Sequence, residues 1–171
     1  ACKSIVQTGN GKYKLKPVIK VIPFVLNGIQ GFIDKTLTNV RVSAQQQGES
    51  IRETVLNTTT GEFFLAHLDP GDYDVVISAD GHATAVISGV PVANDTSITT
   101  ISTSGIPFTL ASSATQNING TVTLSPADDD GAVIVAAKQT LVPGPTVTVK
   151  SQMATVITGN PPGDYSYAMI L

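Results

Sequence analysis

The side chains able to do chemistry are few and scattered. His67 and His82 are the two histidines and Cys2 is the one cysteine in 171 residues. The histidines lie on different segments, "AHLD" and "DGHA", with no Cys or Glu at ligand spacing, so they do not make a metal motif. One cysteine permits neither an internal disulfide nor a multi-thiolate centre. "AC" at the start places Cys2 where a lipid-bearing cysteine could stand, but no apolar segment precedes it, and it reads as a bystander. "ADDDGA" (residues 127–132) gathers acids ahead of Gly131 as a calcium loop does. It lacks the alternating ligand spacing and the later bidentate Glu, and reads as a polar hairpin turn. Serines and threonines abound, yet there is no G-x-S-x-G, no P-loop and no dinucleotide fingerprint. The expectation is a protein with no catalytic residue, no cofactor and no metal. Asn57, Asn94 and Asn119 stand in N-x-T glycosylation sequons, which bear on function only in a glycosylating host.

Composition indicates what those side chains hang on. Hydrophobic residues make up 42% and charged residues 13%, so the core is ordinary and the charged surface is about half the usual share. Val, Ile and Thr dominate, and Gly and Pro recur at short intervals, which is the usage of an all-β chain with many short strands. A surface of Thr, Ser, Asn and Gln suits an extracellular or cell-surface setting. Residues 1–26 contain Lys3, Lys12, Lys14, Lys16 and Lys20 and no acid, an arm of charge +5. The rest holds five bases and all thirteen acids, a body of charge −8. Such asymmetry fits a nucleic acid, a membrane surface or a partner subunit. Nucleic acid is disfavoured, because the arm has no Arg and a single aromatic, Tyr13. No apolar run approaches the length of a membrane span.

A repeat organises the rest. PGDY occurs at residues 70–73 and again at 162–165, an offset of 92. Upstream, residues 27–45 match residues 116–139, and Gly31 corresponds to Gly120 at an offset of 89. A period near ninety residues implies two related domains rather than a solenoid. The boundaries are an extended basic β arm over 1–26, a first β-sandwich over 27–111, and a second, shorter one over 112–171. Alternation supports strands: Val40 and Val42 against Arg41 and Ser43, then Tyr73, Val75 and Ile77 against Asp74, with Val76 blurring the pattern. Residues 45–56 could be forced into a helix. Gly48 and the β-branched Ile51, Thr54 and Val55 favour strand–turn–strand instead. PGDY itself reads as a strand-entry turn, with Pro70 presetting φ and Gly71 free to take positive φ.

"TGEFFLAHLDPGDYDVVISADGH" (residues 60–82) resembles the signature of carboxypeptidase regulatory-like, transthyretin-like β-sandwich modules. Thr60, Gly61, Phe63, Leu68, Pro70, Gly71, Tyr73 and Gly81 carry the likeness; the second unit keeps Gly120 and Pro162 through Tyr165. The resemblance implies a non-catalytic appendage of a secreted or surface protein: a spacer, an adhesive unit or a carbohydrate-binding accessory. "KSIVQTGNGKYKLKPVIKV" (residues 3–21) resembles the closing strands of a bacterial lipoprotein-type domain of unknown function that precedes such modules, which implies a bacterial surface.

After Tyr73 the first unit continues for almost forty residues, whereas after Tyr165 the second continues for six. The second sandwich is therefore expected to lack its last strands. The arm offers strands without a parent: Tyr13, Leu15, Pro17, Ile19 and Val21 alternate with Lys12, Lys14, Lys16, Val18 and Lys20. The expected function is a non-enzymatic structural protein that assembles with copies of itself, into a homo-oligomer or filament, by donating the arm to a neighbouring sandwich. The expected interface is Tyr13, Leu15, Pro17, Val18, Ile19 and Val21 against Tyr165, Tyr167, Met169 and Leu171. The alternative is a ligand-binding or adhesion module, with carbohydrate as the possible ligand. Low aromatic content, 5%, ranks it second.

Overall fold

The computed structural model describes residues 5–7, 13–15, 27–127, 131–160 and 162–171, and every regular element among them is a β-strand. In the arm, β1 (Ile5–Gln7) pairs antiparallel with β2 (Tyr13–Leu15). No helix among the described residues is long and apolar enough to cross a membrane.

The first unit consists of two sheets. One has the order β6-β3-β9, formed by β3 (Gly28–Phe32), β6 (Glu62–Ala66) and β9 (Ile98–Thr100). The other has the order β5-β4-β7-β8, formed by β4 (Arg41–Gln46), β5 (Glu49–Val55), β7 (Gly71–Ser78) and β8 (Ala85–Val92). Period-2 alternation aims one face of each strand at the other sheet. Ile29 on β3 and Phe63 and Leu65 on β6 meet Val42 and Ala44 on β4 and Tyr73, Val75 and Ile77 on β7 in one buried cluster. Each large side chain so buried contributes about 1.5–3 kcal/mol, which fixes the register of both sheets.

Residues 45–56 form strand–turn–strand. Gln46 pairs with Glu49, and between them Gln47 and Gly48 both have positive φ, 53° and 77°. Two positive-φ residues make the turn whose twist matches an antiparallel hairpin. The first PGDY is a strand-entry turn: Gly71 has φ 154°, and the hydroxyl of buried Tyr73 donates to the Asp69 carbonyl at 2.8 Å. That bond ties the core strand to the turn that launches it.

The second unit also has two sheets. β10 (Asn117–Thr123), β13 (Thr155–Val156) and β14 (Asp164–Ile170) take the order β10-β14-β13, and β11 (Ile134–Thr140) pairs with β12 (Thr146–Met153). The two matched glycines have similar surroundings. Gly31 pairs with Phe63 and Gly120 pairs with Tyr167. In each case a Cβ on the glycine would fall within 3 Å of its partner's ring, so both glycines exist to let an aromatic lie flat across the strand. The β4–β5 hairpin likewise has its counterpart in β11–β12.

The equivalence stops at the strand that follows PGDY. β7 pairs with β4 and β8, in the sheet opposite β3. β14 pairs with β10 itself. Tyr73 and Tyr165 thus begin matching strands with different neighbours. Alternation determines which face of a strand is buried and leaves its neighbour open.

Candidate functional site: open strands of the second unit and the cleft between units

The residues expected to form an assembly interface are placed unevenly. Tyr13 and Leu15 lie on β2, opposite Gln7 and Ile5. Pro17, Val18, Ile19 and Val21 lie outside the described residues. Tyr165 and Met169 are 1% and 2% exposed, so their side chains are already packed within the chain. Tyr167 covers Gly120, and Leu171 exchanges two backbone hydrogen bonds with Gln116. Of these four, only Leu171 is among the large apolar side chains the second unit leaves in water; the rest lie elsewhere. Ile134 and Met153 are directly paired across β11 and β12 and are 66% and 65% exposed. Ile118 on β10 and Ile170 on β14 are also exposed. A cross-strand apolar pair in solvent is a sequence-readable signal once the register is known, but the register follows only from the fold.

Backbone accounting locates the open edges. The reciprocal bonds between Gln116 and Leu171 make them a hydrogen-bonded pair of the β10–β14 ladder. Such pairs alternate along an antiparallel ladder, so Ile118, Gly120 and Val122 also bond toward β14. Leu124 donating to Gly163 continues the series. The N–H and C=O groups of Asn117, Asn119, Thr121 and Thr123 therefore point the other way. No strand among the described residues lies on that side of β10.

The two units meet through their counterpart hairpins. Gln45 is 1% exposed although it lies on the outer face of β4. Its Nε2 donates to the Thr148 carbonyl at 2.7 Å and to Ser43 Oγ at 2.9 Å, and its Oε1 accepts from the Thr148 N–H at 2.8 Å. Thr148 Oγ1 donates to the Gly48 carbonyl at 2.6 Å, and Lys138 pairs with Glu49. Ser43 and Val76, also on the outer face, are buried beside this contact. Val76 is thus the exception to the alternation on β7 because the second unit covers it.

Beside the contact the units diverge into a cleft of about 780 Å³. Its walls are rich in hydroxyl and amide side chains, among them Asn39, Ser78, Thr84, Ser151 and Gln152, and include no Phe, Tyr or Trp. Five ionisable groups line it: Arg41, Glu53, Asp80, His82 and Lys150. Asp80 accepts from Asn39 Nδ2 at 2.6 Å, Glu53 from Ser50 at 3.2 Å, and Lys150 Nζ donates to the Ile170 carbonyl at 2.7 Å. Arg41 is exposed, and it forms no ion pair with a described residue. His82 Nδ1 lies 2.7 Å from the Asp80 carbonyl. His67 sits apart in a turn at φ 57°, its carbonyl accepting from Arg52. No group of three metal-ligating side chains occurs among the described residues. The middle of "ADDDGA" lies outside them.

Two of the sequon asparagines have a local structural use. Asn57 Oδ1 accepts from the Thr59 and Thr60 N–H groups, and Asn94 Oδ1 accepts from the Thr96 N–H and hydroxyl. Asp34 makes the same turn with Thr36, and these two bonds hold its carboxyl below the usual range. An N-x-T triplet here is first an Asx turn.

A search of curated proteins and of solved structures finds no match to the chain. Residues 30–104 match the family model of the carboxypeptidase regulatory-like domain. The residues that carry this likeness have evident structural work. Gly61 has φ 78°, Phe63 and Leu68 are buried, Tyr73 closes its own turn, and Gly81 has φ 70°. The first unit is therefore similar to a domain family whose members are non-catalytic β-sandwich modules.

Proposed function

We propose that this protein is a non-enzymatic structural component of a bacterial cell surface or its surroundings, and that it assembles with copies of itself by strand donation from the basic arm. The observation that carries this reading is the openness of the second unit. Ile134 and Met153 form an exposed apolar pair, and one edge of β10 has no strand beside it among the described residues. Open edges and exposed apolar pairs are what added strands cover. The +5 arm and the −8 body supply attraction between copies. The likeness of residues 3–21 to the end of a lipoprotein-type domain supports the surface setting. Deleting residues 1–23 is expected to turn an associating protein into a monomer, read by sedimentation velocity and by electron microscopy of the native protein. Unchanged assembly after the deletion refutes donation by the arm.

A second reading rests on the cleft. Its size and its polar lining between two units suit a hydroxyl-rich ligand such as an oligosaccharide. Arg41 would anchor a carboxylate-bearing sugar through its fork of donors. Titration with tetragalacturonate and with a neutral tetrasaccharide, for the native protein and Arg41→Ala, tests it. Binding of the acidic sugar that Arg41→Ala abolishes would favour this reading; no binding of either would eliminate it.

A further inference from the structure

The edge of β10 has a filled counterpart within the same chain. β9 lies parallel to β3, with Gly28 beside Ile98, Ile29 beside Thr99 and Gln30 beside Thr100. The Gly28 N–H donates to the Ser97 carbonyl, and the Ile101 N–H donates to the Gln30 carbonyl, each at 3.0 Å. The Gly31–Gly120 equivalence puts Asn117 where Gly28 stands and Asn119 where Gln30 stands. Asn117 and Asn119 are two of the residues whose backbone groups point away from β14. The second unit thus repeats the acceptor side of the β3–β9 ladder, and β10 has no such neighbour among the described residues.

The sequence supplies a matching strand. β9 belongs to "SITTI" (residues 97–101), and β1 belongs to "SIVQT" (residues 4–8). Both place Ile directly after Ser, then a β-favouring or polar pair. β1 uses one edge for β2, and among the described residues no strand lies on its other edge. It is flanked by Lys3, Lys12 and Lys14, on the cationic part of a chain whose remainder is anionic.

We propose that β10 accepts β1 of a second copy as a parallel neighbour, in the place β9 takes beside β3, with Ile5 beside Asn117, Val6 beside Ile118 and Gln7 beside Asn119. This rests on the assembly reading and specifies its acceptor. Main-chain bonds set the affinity and register of such an addition, and the charge contrast speeds encounter. The combined sheet has the order β2-β1-β10-β14-β13.

Two experiments on the full chain test the proposal. In a Cys2→Ser background, a Gln7→Cys chain is mixed with an Asn119→Cys chain under mild oxidation. Adjacent strands stand about 4.8 Å apart, within disulfide reach, so a heterodimer is expected on a non-reducing gel. A Thr123→Cys partner is expected to give none. In the second experiment, Asn119→Pro removes an outward N–H without removing a bond to β14, and is expected to weaken association at least about tenfold in sedimentation velocity. If Asn119→Pro does not fold, the cross-link decides alone. An oligomeric native protein with no Gln7–Asn119 heterodimer overturns this acceptor and leaves the assembly reading standing. A native protein that stays monomeric at all concentrations overturns both.

Discussion

The two units start from similar sequence and reach different degrees of closure. The first gathers fourteen buried apolar side chains into one cluster between two sheets. The second buries four among its described residues: Val147, Ala154, Tyr165 and Met169. It also exposes more large apolar groups, six against four in the first. The difference lies in pairing as much as in composition. In the first unit β3 has a neighbour on each side, and the β7 strand lies in the opposing sheet. In the second, β14 joins β10 in one sheet, while β11 and β12 stand as a two-stranded ribbon. A ribbon is marginal alone, and here it is held by the first unit through Gln45 and Thr148. The same motif therefore sits beside different neighbours in the two units.

The largest test of this contrast is in the closed core. Phe63→Ala should cost about 3–5 kcal/mol, seen as a large loss of midpoint in urea unfolding. A small loss would mean that the first core is not the cohesive one. Next comes the matched pair of glycines. Gly31→Ala pushes a methyl into the buried ring of Phe63, about 1–3 kcal/mol by overpacking. Gly120→Ala meets Tyr167, whose half-buried ring can swing outward, and should cost less than about 1 kcal/mol. Equal costs would indicate that the second unit is as rigid as the first. Gln45→Ala leaves the Thr148 N–H and carbonyl without their partner, about 1–3 kcal/mol, and should speed hydrogen exchange at Thr148 while the first core stays protected.

A smaller effect follows from Tyr73. Burial, and then the nearby Asp69 charge, raise its pKa above the ordinary 10.0. The fold therefore favours the protonated phenol. Its contribution is fully present below the unfolded pKa and is lost as pH rises through the higher folded value, so stability should decline above about pH 10. Tyr73→Phe should remove that alkaline loss and cost about 0.5–1.5 kcal/mol near neutrality. Smallest of all, Ile134→Ser with Met153→Ser should change stability by less than about 0.5 kcal/mol while reducing self-association. A large destabilisation there would mean that the pair belongs to a core.

Much of this is legible in the sequence itself. Alternation around Val42 and Val75, the Gly48 turn, the PGDY strand entry and the Gly31–Gly120 correspondence all rest on local backbone rules, and local rules act on local sequence. The contact between units was not legible. Ser43 and Gln45 look like solvent-facing residues, and they are buried by a segment about a hundred positions away. Val76 was the one hint, an apolar residue on the wrong face. That β10 has no strand on its outer side among the described residues was also hidden, because no pattern within a strand reports what lies beside it. Tyr165 and Met169 show the converse: the sequence marked their face as apolar and could not say that the chain itself would cover it.

The clasp at Gln45 also bears on how a polar contact can hold two units at all. Two separate proteins meeting through an amide, a hydroxyl and one exposed ion pair would rarely stay together, since exposed ion pairs contribute about 0–1 kcal/mol. Here the partners share a backbone: Ser113 still bonds Gly81 of the first unit and Gln116 already bonds Leu171 of the second, and so short a link keeps each at a local concentration on the order of millimolar from the other. At that concentration about 5–6 kcal/mol is enough to keep the contact mostly formed. The tether relieves the interface of the need for an apolar centre. It leaves evolution free to change the outer hairpin faces residue by residue, and with them the angle at which the second unit presents its open strands.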